Sequence, residues 1–407
     1  MAAPPPRPVL DTRRFGRTSP VFLIILGVCC LIALLALTVI LLQHGPAPAL
    51  VGLLLALLPI PLLLSVVLYL DRLEPEPRAL LAAMFGAGAG IAAVTAFVGR
   101  ALHTGVITTP ELGPDPVQPV AVGLGAALGG ALVAESLKGG VLVALLRSRR
   151  PEIDGAHDGV VYASMVGLGF ALVANVYAFV EAQRHGVRAL AEEFARRGVF
   201  GPLWELLFTS MTGLGVAYAA SRRGSSGYWA IAAGWAAAVV LDTLWNDSVS
   251  AGGAALAATY AVLSAALVVV VVLVAADRRR IVALITRFLP GFEHPDVVAV
   301  PDVAMLASLR LRRGGRHWAR LNVGVAGRRA MADYQLAATE LAMACHRNSL
   351  GRTTADAFAR HRDDSLTLMR AAVAVVRTRR PVSLPPWLGP DETSVFVSPG
   401  GWSGDPE

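Results

Sequence analysis

Long apolar segments are the feature that most limits what this chain can fold into. A helix needs about 20 apolar residues to cross the hydrocarbon core of a bilayer. The sequence has eight such segments, at 21–42, 50–70, 79–100, 118–146, 159–180, 200–220, 228–246 and 252–276. Hydrophobic residues make up 55% of the chain, which exceeds the share in ordinary soluble domains. The sequence therefore predicts an all-α, polytopic membrane protein with about eight transmembrane helices.

The arginines between these spans predict the orientation of the chain. The N-terminal arm, residues 1–20, has four arginines, and more follow the second, fourth, sixth and eighth spans. The alternate loops 43–49, 101–117 and 247–251 contain neither Lys nor Arg, and only loop 181–199 breaks the pattern. Because basic loops stay in the cytoplasm, both termini are predicted to be cytoplasmic, in the plasma membrane.

The composition changes near residue 277. Residues 21–276 form the predicted transmembrane domain, and 277–380 are Arg-rich with helical periodicity, which predicts a small cytoplasmic helical domain. One apolar stripe in it consists of Met331, Tyr334, Ala338, Leu341 and Cys345. Residues 381–407, rich in Pro, Gly and Ser, are predicted to be a disordered tail. The net charge of +7 is explained by arginines that face anionic lipid, so membrane lipid is an expected partner and nucleic acid is not.

Polar side chains inside the spans are the candidate functional residues. Glu135 and Lys138 lie in the fourth span, Glu205 in the sixth and Asp242 in the seventh, with the neutral Asn175 in the fifth. Lys138 is the only lysine of the chain. An ionisable group at a span centre costs roughly 2.5–3.5 kcal/mol, so each is a functional candidate. At about 1.5 Å per residue, these helices bring the polar groups to a similar depth.

Three carboxylates and one ammonium leave a surplus of negative charge, which favours binding of a cation or uptake of protons. The sequence allows a divalent metal held by Glu135, Glu205 and Asp242, and oxygen ligands favour Mg, Mn or Ca over Zn. All eight histidines are predicted to lie outside the spans, and no His-Glu-x-x-His motif occurs. The simpler alternatives are an intrahelical ion pair between Glu135 and Lys138 and an interfacial Glu205.

Five blocks of sequence occur in an order that resembles a known family. They are LDRLEPEPRALLAAMFGAGA at 70–89, AESLK at 134–138, DGVVYASMVGLGFALVANV at 158–176, FGPLWELLFTSMTGLG at 200–215 and LDTLWND at 241–247. Together they are similar to the PrsW intramembrane metalloproteases in their actinobacterial form. The resemblance implies a protease domain over 21–276, with Glu135 and Lys138 as catalytic residues. It also implies a site lined by Asn175, Trp245 and Asn246.

The chain departs from the PrsW pattern at the positions of the expected chemistry. The family has Glu-Glu-x-x-Lys in the second block, and here Ala134 stands for the first Glu. It has Glu-Asn in the third block, where this chain has Ala174 before the Asn. At the two positions where the family places His, this chain has Glu205 and Asp242. Of three family glutamates and two histidines, only Glu135 is therefore retained.

These departures leave the enzymatic activity undecided on sequence grounds. The favoured interpretation is a pseudoprotease that binds transmembrane segments of partner proteins. One alternative is an active metallopeptidase with a carboxylate-ligated metal, and the resemblance then implies membrane-anchored substrates such as anti-sigma factors. The other is an ion- or proton-coupled transporter that uses the intramembrane carboxylates.

Overall fold

A computed structural model describes residues 20–71, 76–106, 118–150, 153, 155–198, 200–222, 225–251, 253–377, 383–389 and 392–397. In this part of the chain the regular structure is helical, and the only β pairing is an isolated bridge between His294 and Val298. The predicted all-α fold is therefore confirmed. Most of the predicted N-terminal arm, 1–19, lies outside the described residues.

The membrane unit consists of the described residues from 20 to 71 and from 76 to 275. Its helices are α1 (Pro20–His44), α2 (Pro46–Leu57), α3 (Ile60–Leu70), α4 (Arg78–Val106), α5 (Gln118–Arg149), α6 (Ala156–Gln183), α7 (Val187–Glu193), α8 (Gly201–Ser221), α9 (Ser225–Ala251) and the first part of α10 (Gly253–Phe288). Eight described segments are long and apolar enough to cross a membrane, which confirms the predicted number.

The second span differs from its prediction as one helix over 50–70. The structure has two consecutive helices there, α2 and α3, which meet at Leu58 and Pro59. Proline has no backbone N–H and disfavours the helical conformation of the residue before it. Pro59 and Pro61, on either side of Ile60, each lack the N–H for an i to i−4 hydrogen bond, and the helix is interrupted at this point.

Helix α6 lies at the centre of the membrane unit and packs against α2, α3, α4 and α8. Its glycines allow this close packing. A Cβ at Gly169 would overlap the backbone carbonyl of Phe85 on α4, so this pair of helices touches through the backbone. A Cβ at Gly167 would lie 2.6 Å from the carbonyl oxygen of Glu205, which brings α8 against α6 at the level of Glu205.

The C-terminal unit starts at Ala276. It contains the end of α10 followed by α11 (Val300–Leu306), α12 (Leu309–Val323), α13 (Val325–Ser349) and α14 (Ala355–Arg377). All five residues of the predicted apolar stripe on α13 are buried in its core, as the 3.6-residue period indicates. The helices pack around this stripe to give a hydrophobic core of their own.

Part of the predicted disordered tail, 381–407, is instead packed onto the C-terminal unit. In the described stretches 383–389 and 392–397, Trp387, Val395 and Phe396 are buried in the same core as α13. The indole N–H of Trp387 and the backbone N–H of Val395 donate to the carboxylate of Asp302, each at 3.0 Å. The described part of the predicted tail is therefore attached to the C-terminal unit by three buried apolar side chains and by hydrogen bonds to Asp302.

Candidate functional site

Lys138 of α5 joins two carboxylates that come from different helices. Its Nζ lies 2.5 Å from Oε1 of Glu135, three residues earlier on the same helix. It also donates a hydrogen bond of 2.8 Å to Oε2 of Glu205 on α8. The predicted pair of Glu135 and Lys138 is therefore more than an intrahelical ion pair, since the ammonium connects α5 to α8.

The protein encloses this ammonium completely. Lys138 and Glu135 are both 0% exposed, whereas the Glu205 side chain is 16% exposed. The ring of Phe170 on α6 lies under the ammonium, with its centroid 4.3 Å from Nζ, which is a favourable cation–π distance. Apart from the ion pair, neither carboxylate oxygen of Glu135 has a hydrogen-bond partner among the described residues. The charge on Lys138 is thus the interaction that compensates the burial of Glu135.

Asp242 on α9 adds a third carboxylate to the cluster. It is 4% exposed and interacts electrostatically with Glu205, Lys138 and Glu135. The side-chain amide of Asn246, one turn later, donates 2.6 Å to Oδ1 of Asp242 and 3.0 Å to its backbone carbonyl. The structure therefore brings together Glu135, Lys138, Glu205, Asp242 and Asn246, which we call the lysine cluster.

The two other predicted site residues lie in packing contacts of α8. Asn175 is buried on α6, with its Oδ1 facing Gly201 at the start of α8, and its Nδ2 has no hydrogen-bond partner in the described part of the chain. The Trp245 ring packs against Trp204 and Tyr260, at centroid distances of 6.4 and 5.6 Å. Neither residue is described in contact with a carboxylate of the lysine cluster.

A second polar cluster, where the end of α3 meets the start of α6, was not predicted. His157 Nε2 lies 2.6 Å from the Leu70 carbonyl, and its Nδ1 lies 3.3 Å from Oδ1 of Asp158. The backbone N–H of Glu76 donates 3.0 Å to Oδ1 of Asp71, and the Tyr162 hydroxyl donates to the Glu76 carboxylate. We call these five residues the latch cluster: Asp71, Glu76, His157, Asp158 and Tyr162.

The latch cluster corrects the expectation that every histidine lies outside the spans. His157 is 4% exposed and lies in the first turn of α6, within a segment that is long and apolar enough to cross a membrane. Burial raises the pKa of Asp71 to about 6, although the Glu76 amide opposes this shift. Part of the signal was present in the sequence, since four of the five residues fall in the quoted blocks 70–89 and 158–176, and His157 directly precedes the second block.

Comparison with protein families supports the interpretation of this architecture. A family model described as PrsW family intramembrane metalloprotease matches residues 76–276. The membrane-spanning region belongs to the PrsW family. The matched residues contain helices α4 to α9 and every member of the lysine cluster. Comparisons with curated proteins and with solved structures gave no match.

Membership of the PrsW family implies a divalent metal, for which the predicted ligands in this chain are Glu135, Glu205 and Asp242. The predicted ligands Glu135 and Glu205 both contact the ammonium of Lys138, which repels a second cation at this position. Across the described ranges, no group of three or more His, Cys, Asp or Glu side chains is placed to hold a metal ion. As arranged in this structure, the lysine cluster does not fit a divalent metal.

Proposed function

We propose that this chain is a PrsW-family protein of the plasma membrane, with both termini in the cytoplasm, that binds transmembrane segments of partner proteins without hydrolysing them. The observation that carries this proposal is the ammonium of Lys138, which is bonded to Glu205 at 2.8 Å and paired with Glu135 at 2.5 Å. The carboxylates on which hydrolysis would depend are already engaged by the protein itself.

Metal-dependent peptide hydrolysis needs a metal that lowers the pKa of a water molecule and a base that accepts its proton. By the resemblance, Glu135 is the one family glutamate that this chain keeps. Its side chain is 0% exposed and is paired with Lys138. The positions at which the family has histidine are Glu205 and Asp242 in this chain. Extra carboxylates add negative charge, which opposes ionisation of a bound water. This chemistry supports binding rather than cleavage.

The glycines of α5 support a role in binding another helix. A Cβ built at Gly125, Gly129, Gly130 or Gly140 would meet nothing within 4 Å among the described residues. By contrast, a Cβ at Gly139 would contact Thr212 of α8 at 3.3 Å. Glycines that no described helix covers allow a second transmembrane helix to approach the backbone of α5 closely. This glycine face lies on the helix that also carries Glu135 and Lys138.

Photo-crosslinking in native membranes tests this proposal. A photoreactive amino acid is placed at Leu132 on α5, 37% exposed, and for comparison at Val271 on α10, 58% exposed. We expect full-length membrane proteins to be captured from position 132 and not from position 271. The captured transmembrane segment, added as a synthetic peptide to the purified protein, should bind again, and Gly140→Leu should weaken that binding because its side chain blocks close approach.

Cleavage of the captured protein is the outcome that would overturn the proposal. If the partner is recovered cut within its transmembrane segment, and Glu135→Gln abolishes the cut, the protein is an active peptidase. Equal capture from positions 132 and 271 would instead show that α5 has no binding face.

A further inference from the structure

We infer that the C-terminal unit binds anionic lipid headgroups through one surface of α12 and the start of α13. This surface, which we call the basic face, consists of six exposed side chains: Arg310, Arg313, Arg320, Leu321, Val325 and Arg328. It lies outside residues 76–276, which match the PrsW family. The inference does not depend on partner binding by α5, so either result can fail while the other stands.

The charge of the basic face comes from a stretch of sequence without acidic residues. Residues 303–332 contain seven arginines and neither Asp nor Glu. Three of these arginines interact within the unit: Arg312 and Arg316 donate hydrogen bonds to residue 335 on α13, and Arg329 interacts electrostatically with Asp333. The other four are exposed, and they concentrate positive charge on this part of the surface.

The three arginines on α12 lie on one side of the helix because of their spacing. Arg310, Arg313 and Arg320 are separated by three and seven residues, and side chains at these intervals share a helix face. Trp318 and Ala319, on the other side of α12, are buried in the core of the C-terminal unit. The core therefore fixes the helix so that its basic side remains at the surface.

Two apolar side chains within the basic face favour lipid over other anionic partners. Leu321 is 71% exposed, more than any other large hydrophobic residue described in the C-terminal unit, and Val325 is 55% exposed. They lie four residues apart, on either side of Gly324, where α12 ends and α13 begins. At a membrane surface, arginines contact phosphate groups while apolar side chains enter the acyl boundary. A nucleic acid would bind the arginines alone, and the ring of Trp318 is buried and cannot stack on bases.

The chain itself tethers the basic face to a membrane. Helix α10 continues without interruption from the last span into the C-terminal unit, and only α11 and a short 3₁₀ turn separate it from α12. Such a tether raises the effective concentration of lipid at the basic face, so individually weak contacts are sufficient. Each arginine near an anionic surface strengthens the attachment roughly fivefold.

Photo-crosslinking to lipid tests this inference on the full chain, reconstituted with one chain per nanodisc. A photoreactive amino acid replaces Leu321, and for comparison Leu350, which is also exposed but lies at the other end of α13. The discs contain phosphatidylcholine alone or an equal mixture with phosphatidylglycerol, and mass spectrometry identifies the lipid adducts. We expect phosphatidylglycerol adducts from position 321 in the mixed discs. Position 350, and position 321 in discs of phosphatidylcholine alone, should give few adducts.

Two triple variants separate the basic face from the overall charge of the unit. The first replaces the exposed arginines of α12: Arg310→Gln, Arg313→Gln and Arg320→Gln. The matched control replaces three exposed arginines elsewhere in the unit: Arg352→Gln, Arg360→Gln and Arg370→Gln. Loss of three arginines weakens attachment on the order of a hundredfold, so the first variant should lose the adducts and the control should keep them. About 1 M NaCl, which shortens the Debye length to about 3 Å, should also remove them.

A second measurement uses the wild type and decides the question even if a variant does not fold. Hydroxyl-radical footprinting should oxidise Leu321 less in the mixed discs than in discs of phosphatidylcholine alone, with no change at Leu350. Equal oxidation of Leu321 in both discs would overturn the inference. Equal loss of adducts in the two triple variants would overturn it as well, as would displacement of the lipid from position 321 by an added DNA duplex that crosslinks there instead.

Discussion

Two carboxylates among the described residues are completely buried, and they are compensated in opposite ways. Asp302 of the C-terminal unit and Glu135 of the membrane unit are both 0% exposed. Asp302 accepts four hydrogen bonds from neutral donors: Ala299 N–H, Trp387 Nε1–H, Ser394 Oγ–H and Val395 N–H. Glu135 has the ammonium of Lys138 and no hydrogen bond from another described residue.

The difference shows which of the two carboxylates is tied to structure and which to an ion. Neutral donors at Asp302 come from Ala299, directly before α11, and from a segment more than eighty residues later, so the carboxylate connects the tail to the start of α11. Burial raises the pKa of Asp302, and the bonds from Ser394 and Val395 oppose that shift. Glu135 depends on a single opposite charge, and this dependence makes its surroundings sensitive to whichever cation is present.

Removal of the ammonium should have the largest effect. In the presence of a chelator, Lys138→Met is expected to lower the free energy of unfolding by about 3–5 kcal/mol, because it leaves buried carboxylates unpaired. Adding Glu135→Gln should recover part of this loss, so the two substitutions should be non-additive. Unfolding of the purified protein in mixed micelles measures both effects. Additive losses would show that Glu135 and Lys138 are not coupled, and the contrast with Asp302 would disappear.

Loss of the neutral hydrogen bonds should have a smaller effect, confined to the C-terminal unit. Asp302→Ala leaves buried donors on Trp387 and Ser394 without an acceptor, at a cost of about 1–3 kcal/mol. Trp387 should become more exposed to fluorescence quenchers, and the C-terminal segment more sensitive to limited proteolysis. Asp356→Ala, at an exposed position in the first turn of α14, is the control. Unchanged protection of Trp387 would mean that apolar packing alone holds the tail.

Substitution of Asp71 in the latch cluster should have the smallest effect, which is a change in how stability depends on pH. Its pKa is raised to about 6, so the folded protein binds this proton more tightly than the unfolded chain, where a carboxyl titrates near about 3.9. The associated stabilisation is therefore present at low pH and is lost as the pH rises between about 4 and 6. The free energy of unfolding, measured at several pH values across this range, should change less with pH in Asp71→Asn than in the wild type. An unchanged slope in this variant would assign the pH dependence to other groups.

Elements of both units show how far local patterns determined the structure. Apolar runs alone predicted eight spans, because a helix in lipid must be apolar along about 20 residues regardless of its neighbours. The buried stripe on α13 followed from its period in the same way. The interruption at Pro59 was readable too, since proline acts on its own helix. The family was recognisable from ordered blocks, and the family match agrees with that recognition over 76–276.

The sequence by itself also placed Glu135, Lys138, Glu205 and Asp242 within apolar runs at a similar depth, although it placed His157 outside them. Only the tertiary structure decided their partners. Lys138 bonds to Glu205, 67 residues later in the chain, because Gly167 lets α8 approach α6 closely and Phe170 supports the ammonium from the same helix. The latch cluster and the packed tail likewise join distant segments. Spans arise from interactions of each helix with its solvent, whereas the site arises from contacts between helices, which the periodicity of a single helix does not encode.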